Sequence, residues 1–418
     1  MINQISKYVA YQQTKEGREA MKILEGIKVV DFTQAHAGSL CTMILADHGA
    51  EVIKIERPGV GDLARYWGPF KNDYSGYYAY LNRGKKSISV NGGTEEGRQI
   101  LLDLIKDADV VTENFKYGSM ERMGLSYDVL KEINPNLIYA SLNGYGQTGP
   151  LKEQVGLDLQ LQAGSGLMDR TGFPDGAPTK GGPAMGDHLS GTYMANAIML
   201  ALIEREKTGK GQAVDIAIYD SLYSVLEGNP ITVCMTGQIN DRMGNSDPTA
   251  APYDTFETND GYCAVGVSTD KQWQDFCEAL GWDDLKNDER YFDNGERVRL
   301  YYDGLRDEIE SRTKKMSKFE IEDKLGAAHV SCGAVYTVTE AMATDQVKER
   351  EMLVNVYDEG IGEEVGIPGT IIKFSETPGG IECGAPLMGK HTAEYLSALG
   401  YTEEQMAELA EKNVIQMA

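Results

Sequence analysis

Between Ile27 and Ser141 the chain alternates short apolar runs with helix-length amphipathic segments, and this alternation leaves few folds open. Ile27-Lys-Val-Val-Asp-Phe32 has the length of a buried strand, Thr33-Gln-Ala-His-Ala-Gly38 reads as a turn, and a helix follows from about Ser39 to His48. Gly49-Ala50 stops that helix and Glu51-Val-Ile-Lys-Ile-Glu56 forms a second strand. The unit has the crossover that adjacent parallel strands require. The pattern continues with a strand at Lys86-Ser-Ile-Ser-Val90, a helix from Thr94 to Asp107 and a strand at Asp109-Val-Val-Thr112. A helix around Tyr127 to Ile133 and the strand Leu137-Ile-Tyr-Ala-Ser141 complete it. Such a run predicts an α/β, doubly wound domain whose ligand site lies beyond the carboxyl ends of its strands.

The segments just past those strand ends are Thr33 to Ala37, Arg57 to Asp62 and Glu113-Asn-Phe115. Between Glu51 and Val90 the Lys and Arg residues (54, 57, 65, 71, 83, 85, 86) outnumber the acids (51, 56, 62, 73). In an acidic chain this local excess fits a polyanionic ligand, and ordinary surface charge pairs fit it equally well. No G-x-G-x-x-G follows the first strand and no G-x-x-x-x-G-K-[ST] occurs, so dinucleotide and P-loop binding are not supported.

A second feature is Thr179-Lys-Gly-Gly-Pro-Ala-Met-Gly-Asp187-His-Leu-Ser-Gly191, a glycine-rich loop before a helix expected from Leu189 to about Lys207. Asp187 reads either as an N-cap or as a carboxylate presented for chemistry. At a helix N-terminus it is expected to have a lowered pKa and to stay ionised. Ala213-Val-Asp-Ile-Ala-Ile218 alternates as a strand. The chain then changes character, with turns at Asn229-Pro, Gly244-Asn-Ser-Asp-Pro248 and Asn259-Asp-Gly261, a strand at Tyr262-Cys-Ala-Val-Gly-Val267, and acidic helices. We expect a large domain from residues 1–225 and 335–418 and a smaller α+β domain from 226–334. The tail is expected to hold a strand from Thr370 to Phe374 and a helix from Thr402 to about Lys412.

Composition narrows the function classes. A net charge of -24 over 418 residues argues against nucleic acid or an anionic membrane as partner. No apolar run is long enough to span a bilayer, and the first twenty residues lack the features of a signal peptide. Six scattered cysteines without a C-x-x-C pair, and five histidines without metal-ligand spacing, predict a reduced, cytoplasmic chain without a metal.

Taken together, the chain resembles a class III CoA-transferase, the family of formyl-CoA transferase, carnitine CoA-transferase and the bile-acid enzymes. The resemblance runs from Leu24 onward. It rests on Leu24-Glu-Gly-Ile-Lys-Val-Val-Asp-Phe, Gly49-Ala-Glu-Val-Ile-Lys-Ile-Glu-Arg57-Pro-Gly, Asn82-Arg-Gly-Lys-Lys-Ser-Ile88 and Glu113-Asn-Phe115. Arg122-Met-Gly-Leu125, Gly144-Tyr-Gly-Gln-Thr-Gly-Pro150, Gln162-Ala-Gly-Ser-Gly166, Gly186-Asp187, Thr208-Gly-Lys-Gly-Gln212 and Ala385-Pro-Leu-Met-Gly-Lys-His-Thr392 extend it.

The resemblance implies coenzyme A as the co-substrate thioester, an acyl-CoA and a carboxylic acid as partners, and Asp187 as the catalytic nucleophile. It assigns Gln34, His36 and Ala37 to the loop along CoA and Arg57 and Lys85 to its phosphate end. Asn114, Phe115, Arg122 and Met123 would be contacts further along, with Asp158 and Gly186 in the active site. The loop glycines are expected to bring backbone N–H groups to the developing oxyanion. His36 departs from the glutamine of the formyl-CoA transferases.

The resemblance further implies a Rossmann-like large domain and an interlocked homodimer. Two other functions remain, an α-methylacyl-CoA racemase and a non-catalytic CoA-binding protein. The racemases carry a histidine where this chain has Leu157, and an apolar side chain cannot shuttle a proton. The lid of consecutive glycines found in formyl-CoA transferases is missing, so a larger acceptor than oxalate is expected, of medium size and with a 2-hydroxy acid as one option.

Overall fold

A computed structural model describes residues 22–238 and 241–418. They fall into two compact units, one made of residues 22–166, 181–226 and 348–418, the other of 167–180 and the described part of 227–347. In the first unit six parallel strands appear in chain order as β1 (Lys28–Asp31), β2 (Glu51–Glu56), β3 (Lys86–Val90), β4 (Val110–Glu113), β5 (Ile138–Asn143) and β6 (Ala213–Ala217). In space they run 3-2-1-4-5-6, and the short strand Ile415–Gln416 pairs antiparallel with β3. Strand order reverses between β1 and β4, and a crevice opens at such a switch point on the carboxyl side.

Burial on both faces of β1 to β5 explains why these strands read as short, mainly apolar runs, whereas β6 alternates with partial exposure. Val30, Ile53, Ile88 and Val111 form one core with Ile100, Leu101, Leu104 and Ile105 of the helix Glu95–Ile105. Three helices matter for the site: α1 (Ala37–Asp47), α2 (Asp158–Gly164) and α3 (Met185–Thr208). Helix α3 begins four residues earlier than the glycines suggested, so Asp187 lies inside its first turn rather than ahead of it. At Gly191 a Cβ would sit 2.3 Å from the Ala37 carbonyl oxygen, and the absence of a side chain there lets α3 press against the start of α1.

The basic excess of residues 51–90 is largely internal. Lys54 pairs with Asp62, Arg65 with Glu56, Lys71 with Glu363, Arg83 with Asp47 and Lys85 with Asp31. All of these cations except Lys71 are buried or nearly so. The lysine and arginine count therefore reports ion pairs inside the fold more than an anion-binding face. Arg57 and Lys86 have no ion pair among the described residues.

The expected strand from Thr370 to Phe374 does not form. The tail instead holds a hairpin, Leu353–Asp358 against Glu363–Pro368. Its alternating exposure, with Tyr357 pointing to solvent, gave no apolar run to read. The closing helix spans Glu403–Glu411 with Thr402 in a capping box.

The second unit has an antiparallel sheet of Tyr253–Thr258, Gly261–Gly266 and Ser331–Ala334. Trp273, Phe276, Cys277 and Leu280 of the helix Asp270–Leu280 fill its core. Among the described residues no helix is long and apolar enough to cross a membrane, and no group of His, Cys, Asp and Glu is arranged to hold a metal ion.

Candidate active site

The loop after β1 is fixed before any ligand arrives. Asp31, at the end of β1, accepts from the Thr33 amide (2.9 Å), the Thr33 hydroxyl (2.5 Å) and Thr42 (2.7 Å). Asp62 accepts from the Ala35 amide at 2.9 Å and pairs with the buried Lys54 at 2.6 Å. Ala35 has φ 64°, a left-handed backbone that this bond helps hold. Across the switch point the Asn114 side chain clasps Gln34, its Oδ1 accepting from the Gln34 amide and its Nδ2 donating to the Gln34 carbonyl, both at 2.8 Å. Loops from β1 and β4 are thus stitched together where the sheet opens.

A cleft of about 530 Å³ lies over this stitch, entirely within the first unit. Gln34, His36, Ala37, Asn114, Phe115, Asp158 and Asp187 line it, so seven of the residues expected at a site from the sequence meet in one place. Trp67, Lys116, Tyr117, Asn143, Lys152 and Leu157 also line it and were not anticipated as part of a site, Leu157 having been weighed only as a missing histidine.

Asp187 is the least satisfied group on this wall. No hydrogen bond to its carboxylate occurs among the described residues, and α3 gives it no cap role. Burial, reinforced by the neighbouring charge of Asp158, pushes its pKa up to about 7. The expectation of a carboxylate kept low by the helix N-terminus is therefore corrected. Desolvation and like charge outweigh a helix-end effect of ~1 kcal/mol.

Asp158, by contrast, is fully engaged. Its Oδ1 accepts from the Gly186 amide and its Oδ2 from Gln162, each at 2.7 Å. Gly186 makes this possible, because a Cβ there would meet Ile218 at 2.7 Å, Leu222 at 2.8 Å and Asp158 Oδ1 at 2.9 Å. Gly181 likewise donates its amide to Gln162 Oε1 at 2.9 Å. The N–H groups of Gly181 and Gly186, expected to serve an oxyanion, are thus already used.

His36 sits between aromatic neighbours. Its Nδ1 lies 2.5 Å from the Tyr77 hydroxyl, its ring is 5.9 Å from that of His188, and its Nε2 is buried without a partner. Burial, with the neighbouring His188 ring, holds its pKa down at about 4. The imidazole is neutral at physiological pH. Tyr77 is pushed up to about 12, by burial first and then by the charge of Asp187. Asn143 Nδ2 is the other buried donor on the cleft wall without a partner, its Oδ1 accepting from the amides of Gly146 (2.6 Å) and Tyr145 (3.2 Å).

The remaining expected residues lie elsewhere. Lys85 has a fully buried side chain and donates to Asp31, the Ser39 carbonyl, Thr42 and Asn82. Burial draws its pKa down to about 8 against the opposing charge of Asp31. It is an interior cation and does not reach the surface. Arg57 is exposed just past β2. Arg122 donates to Ser119, and Met123 packs partly buried against the main core; neither lines the cleft.

Residues 24–392 match the family model described as CoA-transferase family III. The chain is 41% identical over 392 residues to a succinyl-CoA:mesaconate CoA-transferase of Haloarcula hispanica, covering 91% of this chain and 97% of that protein. It is 35% identical over 402 residues to the human succinyl-CoA:glutarate CoA-transferase, covering 94% and 90%. A crystal structure described as a CAIB/BAIF family protein from Brucella suis superposes with a TM-score of 0.82 at 37% identity, covering 90% of this chain and 99% of that one.

Proposed function

We propose, from the premise that the chain belongs to CoA-transferase family III and moves CoA from an acyl-CoA to a carboxylic acid, that Asp187 is the group through which the transfer runs. The observation that carries this is the carboxylate itself, partly desolvated, free of hydrogen bonds and facing the cleft at the switch point. A carboxylate deprived of partners is a stronger nucleophile than one held by amides, as Asp158 is. One Asp187 oxygen attacks the thioester carbonyl carbon, the carbonyl electrons move onto oxygen, and collapse breaks the C–S bond to give a mixed anhydride and CoA thiolate. The thiolate attacks the aspartyl side of the anhydride, releasing the first acid and leaving an aspartyl-CoA thioester. The incoming acid repeats the sequence in reverse and departs as its CoA ester. No proton changes hands in the sum.

The relatives named for mesaconate and glutarate support a short dicarboxylic acid as acceptor and succinyl-CoA as donor, a narrower reading than a medium-sized acid. Lys116 and Lys152 on the cleft wall suit a second carboxylate or the phosphates of CoA. Gln34, His36, Ala37, Asn114 and Phe115 would flank the pantetheine, with Arg57 toward the phosphates. Arg122 and Met123 would be more distant contacts, and the interior Lys85 is left out. The exposed Tyr193, Leu200 and Ile203 on α3 support burial against a second copy, which light scattering would test.

The direct test mixes enzyme with succinyl-CoA or another acyl-CoA, traps with hydroxylamine, and maps the adduct by mass spectrometry. Modification of the Asp187 peptide supports the reading. Transfer activity that survives in Asp187→Ala refutes it.

A further inference from the structure

The attack on the thioester creates an oxyanion, and the donors that would meet it are not where the glycine-rich sequence suggested. Gly181 and Gly186 spend their N–H groups on Gln162 and Asp158. Of the buried side-chain donors without partners among the described residues, His36 Nε2 and Asn143 Nδ2 are carried by residues that line the cleft that holds Asp187. Whether His36 is a donor at all depends on which ring nitrogen carries its proton.

Tyr77 decides that question. Its hydroxyl has His36 Nδ1 as its hydrogen-bond partner, at 2.5 Å. If Nδ1 carried the proton and donated to Tyr77, the tyrosine O–H would have no acceptor among the described residues and Nε2 would be an orphaned lone pair. With Tyr77 donating, one bond satisfies both groups and the remaining proton sits on Nε2. The ring of Tyr77 is itself fixed by an edge contact with Trp67, their centroids 5.6 Å apart.

We propose that Tyr77 is a positioning residue that locks His36 as the neutral Nε2–H tautomer, so that His36 donates to the carbonyl oxygen of the acyl thioester as it becomes the oxyanion. This rests on the reading of Asp187 as nucleophile. An unpartnered buried N–H is costly, and that cost is relieved only when the substrate oxygen arrives. The donor then strengthens as charge grows on the oxygen, the condition for lowering a barrier rather than only tightening binding. A neutral imidazole suits this role, since an imidazolium would be drawn to the neighbouring charge of Asp158 instead of waiting for the substrate oxygen. His188 and Asp158 face the ring on its other contacts.

Two measurements on the full-length enzyme test it. Nitrogen-15 NMR of histidine-labelled protein, with five histidines in the chain and His36 assigned by its loss in His36→Gln, reads the tautomer directly. The expected result is protonation at Nε2, with the tautomer population redistributed in Tyr77→Phe while the melting temperature is held. Protonation at Nδ1 in the wild type overturns the proposal.

Single-turnover formation of the hydroxylamine-trapped Asp187 adduct gives the second readout. His36→Leu should slow it about 10²–10³-fold, the scale of losing one oxyanion donor. Tyr77→Phe should slow it about tenfold or more. His36→Gln, whose amide reaches the place of Nε2, should recover most of the loss seen in His36→Leu. A Tyr77→Phe enzyme with unchanged tautomer and rate overturns the proposal while leaving Asp187 as nucleophile. Absence of any Asp187 adduct in the wild type sinks the nucleophile reading, whatever the tautomer.

Discussion

Replacing Asp187 by Asn should abolish transfer and at the same time make the protein more stable above neutral pH. The carboxylate is displaced from its ordinary 3.8 to about 7, and each pH unit corresponds to about 1.4 kcal/mol, so ionising it in the fold costs at most about 4 kcal/mol. The side chain is only partly buried, and solvent screening reduces the figure to roughly 2 kcal/mol. An acid whose value is raised on folding holds its proton more tightly in the native state. Its penalty is absent below about pH 3.8, grows as pH rises and is complete above about 7. Asn is isosteric and never ionises, so the gap between variant and wild type should be largest at pH 8. At pH 5 it should be less than half that size.

Unfolding entropy of about 2.1 cal/mol/K per residue makes each kcal/mol roughly 1 °C for a chain of 418 residues. Calorimetry at pH 5 and pH 8 should therefore resolve a gap of about 2 °C at the higher pH. A variant no more stable than wild type at pH 8, or a gap independent of pH, would refute the claim that this carboxylate is desolvated. Loss of activity alone would not rescue it.

Other outcomes follow from single side chains. Asp158→Asn removes the charge beside Asp187, so the acid limb of the rate profile should move to lower pH while surviving, because burial is the larger cause; an unmoved limb contradicts the coupling. Arg57→Ala should raise KM for the CoA ester about tenfold, one charged contact's worth, with kcat and melting temperature nearly unchanged; a large fall in kcat counts against a binding role. Lys85→Met should destabilise the fold by about 3–5 kcal/mol by leaving Asp31 buried and unpaired. A stable Lys85→Met protein with weakened CoA-ester binding would restore Lys85 to the ligand.

The sheet was legible because β1 to β5 are buried on both faces and bounded by helix-length segments, and β6 shows the alternation of a half-buried strand, so no tertiary information was needed to find it. The hairpin at residues 353–368 escaped because its strands bury only alternate residues incompletely. Asp187, Asp158, His36 and Asn114 were legible through motif order. Their electrostatics were not, since the pKa of Asp187 depends on a carboxylate 29 positions earlier in the chain. Lys85 shows the opposite failure, where a cation in a matching motif carries no mark of being walled in by Asp31, Thr42 and Asn82. Tyr77 had no local signal at all. It lies 41 positions from His36, within the short helix Gly76–Asn82.

The strand Ile415–Gln416 also bears on how the chain is made. Val414 accepts from the Asn91 amide at 2.7 Å, and the Gln416 carbonyl accepts from Thr392 at 2.8 Å. The Gln416 side chain accepts from the Gly59 amide at 2.8 Å, two residues from Arg57. During synthesis all six parallel strands have left the ribosome by residue 217, yet the outer edge of β3 stays open for about two hundred residues more. An uncovered strand edge is a template for wrong pairing, so this interval is when a nascent chain most needs a chaperone. The loop that carries Arg57 receives its last tie only when residue 416 emerges. Gln416→Ala would cut that tie and should loosen CoA-ester binding before it loosens the fold.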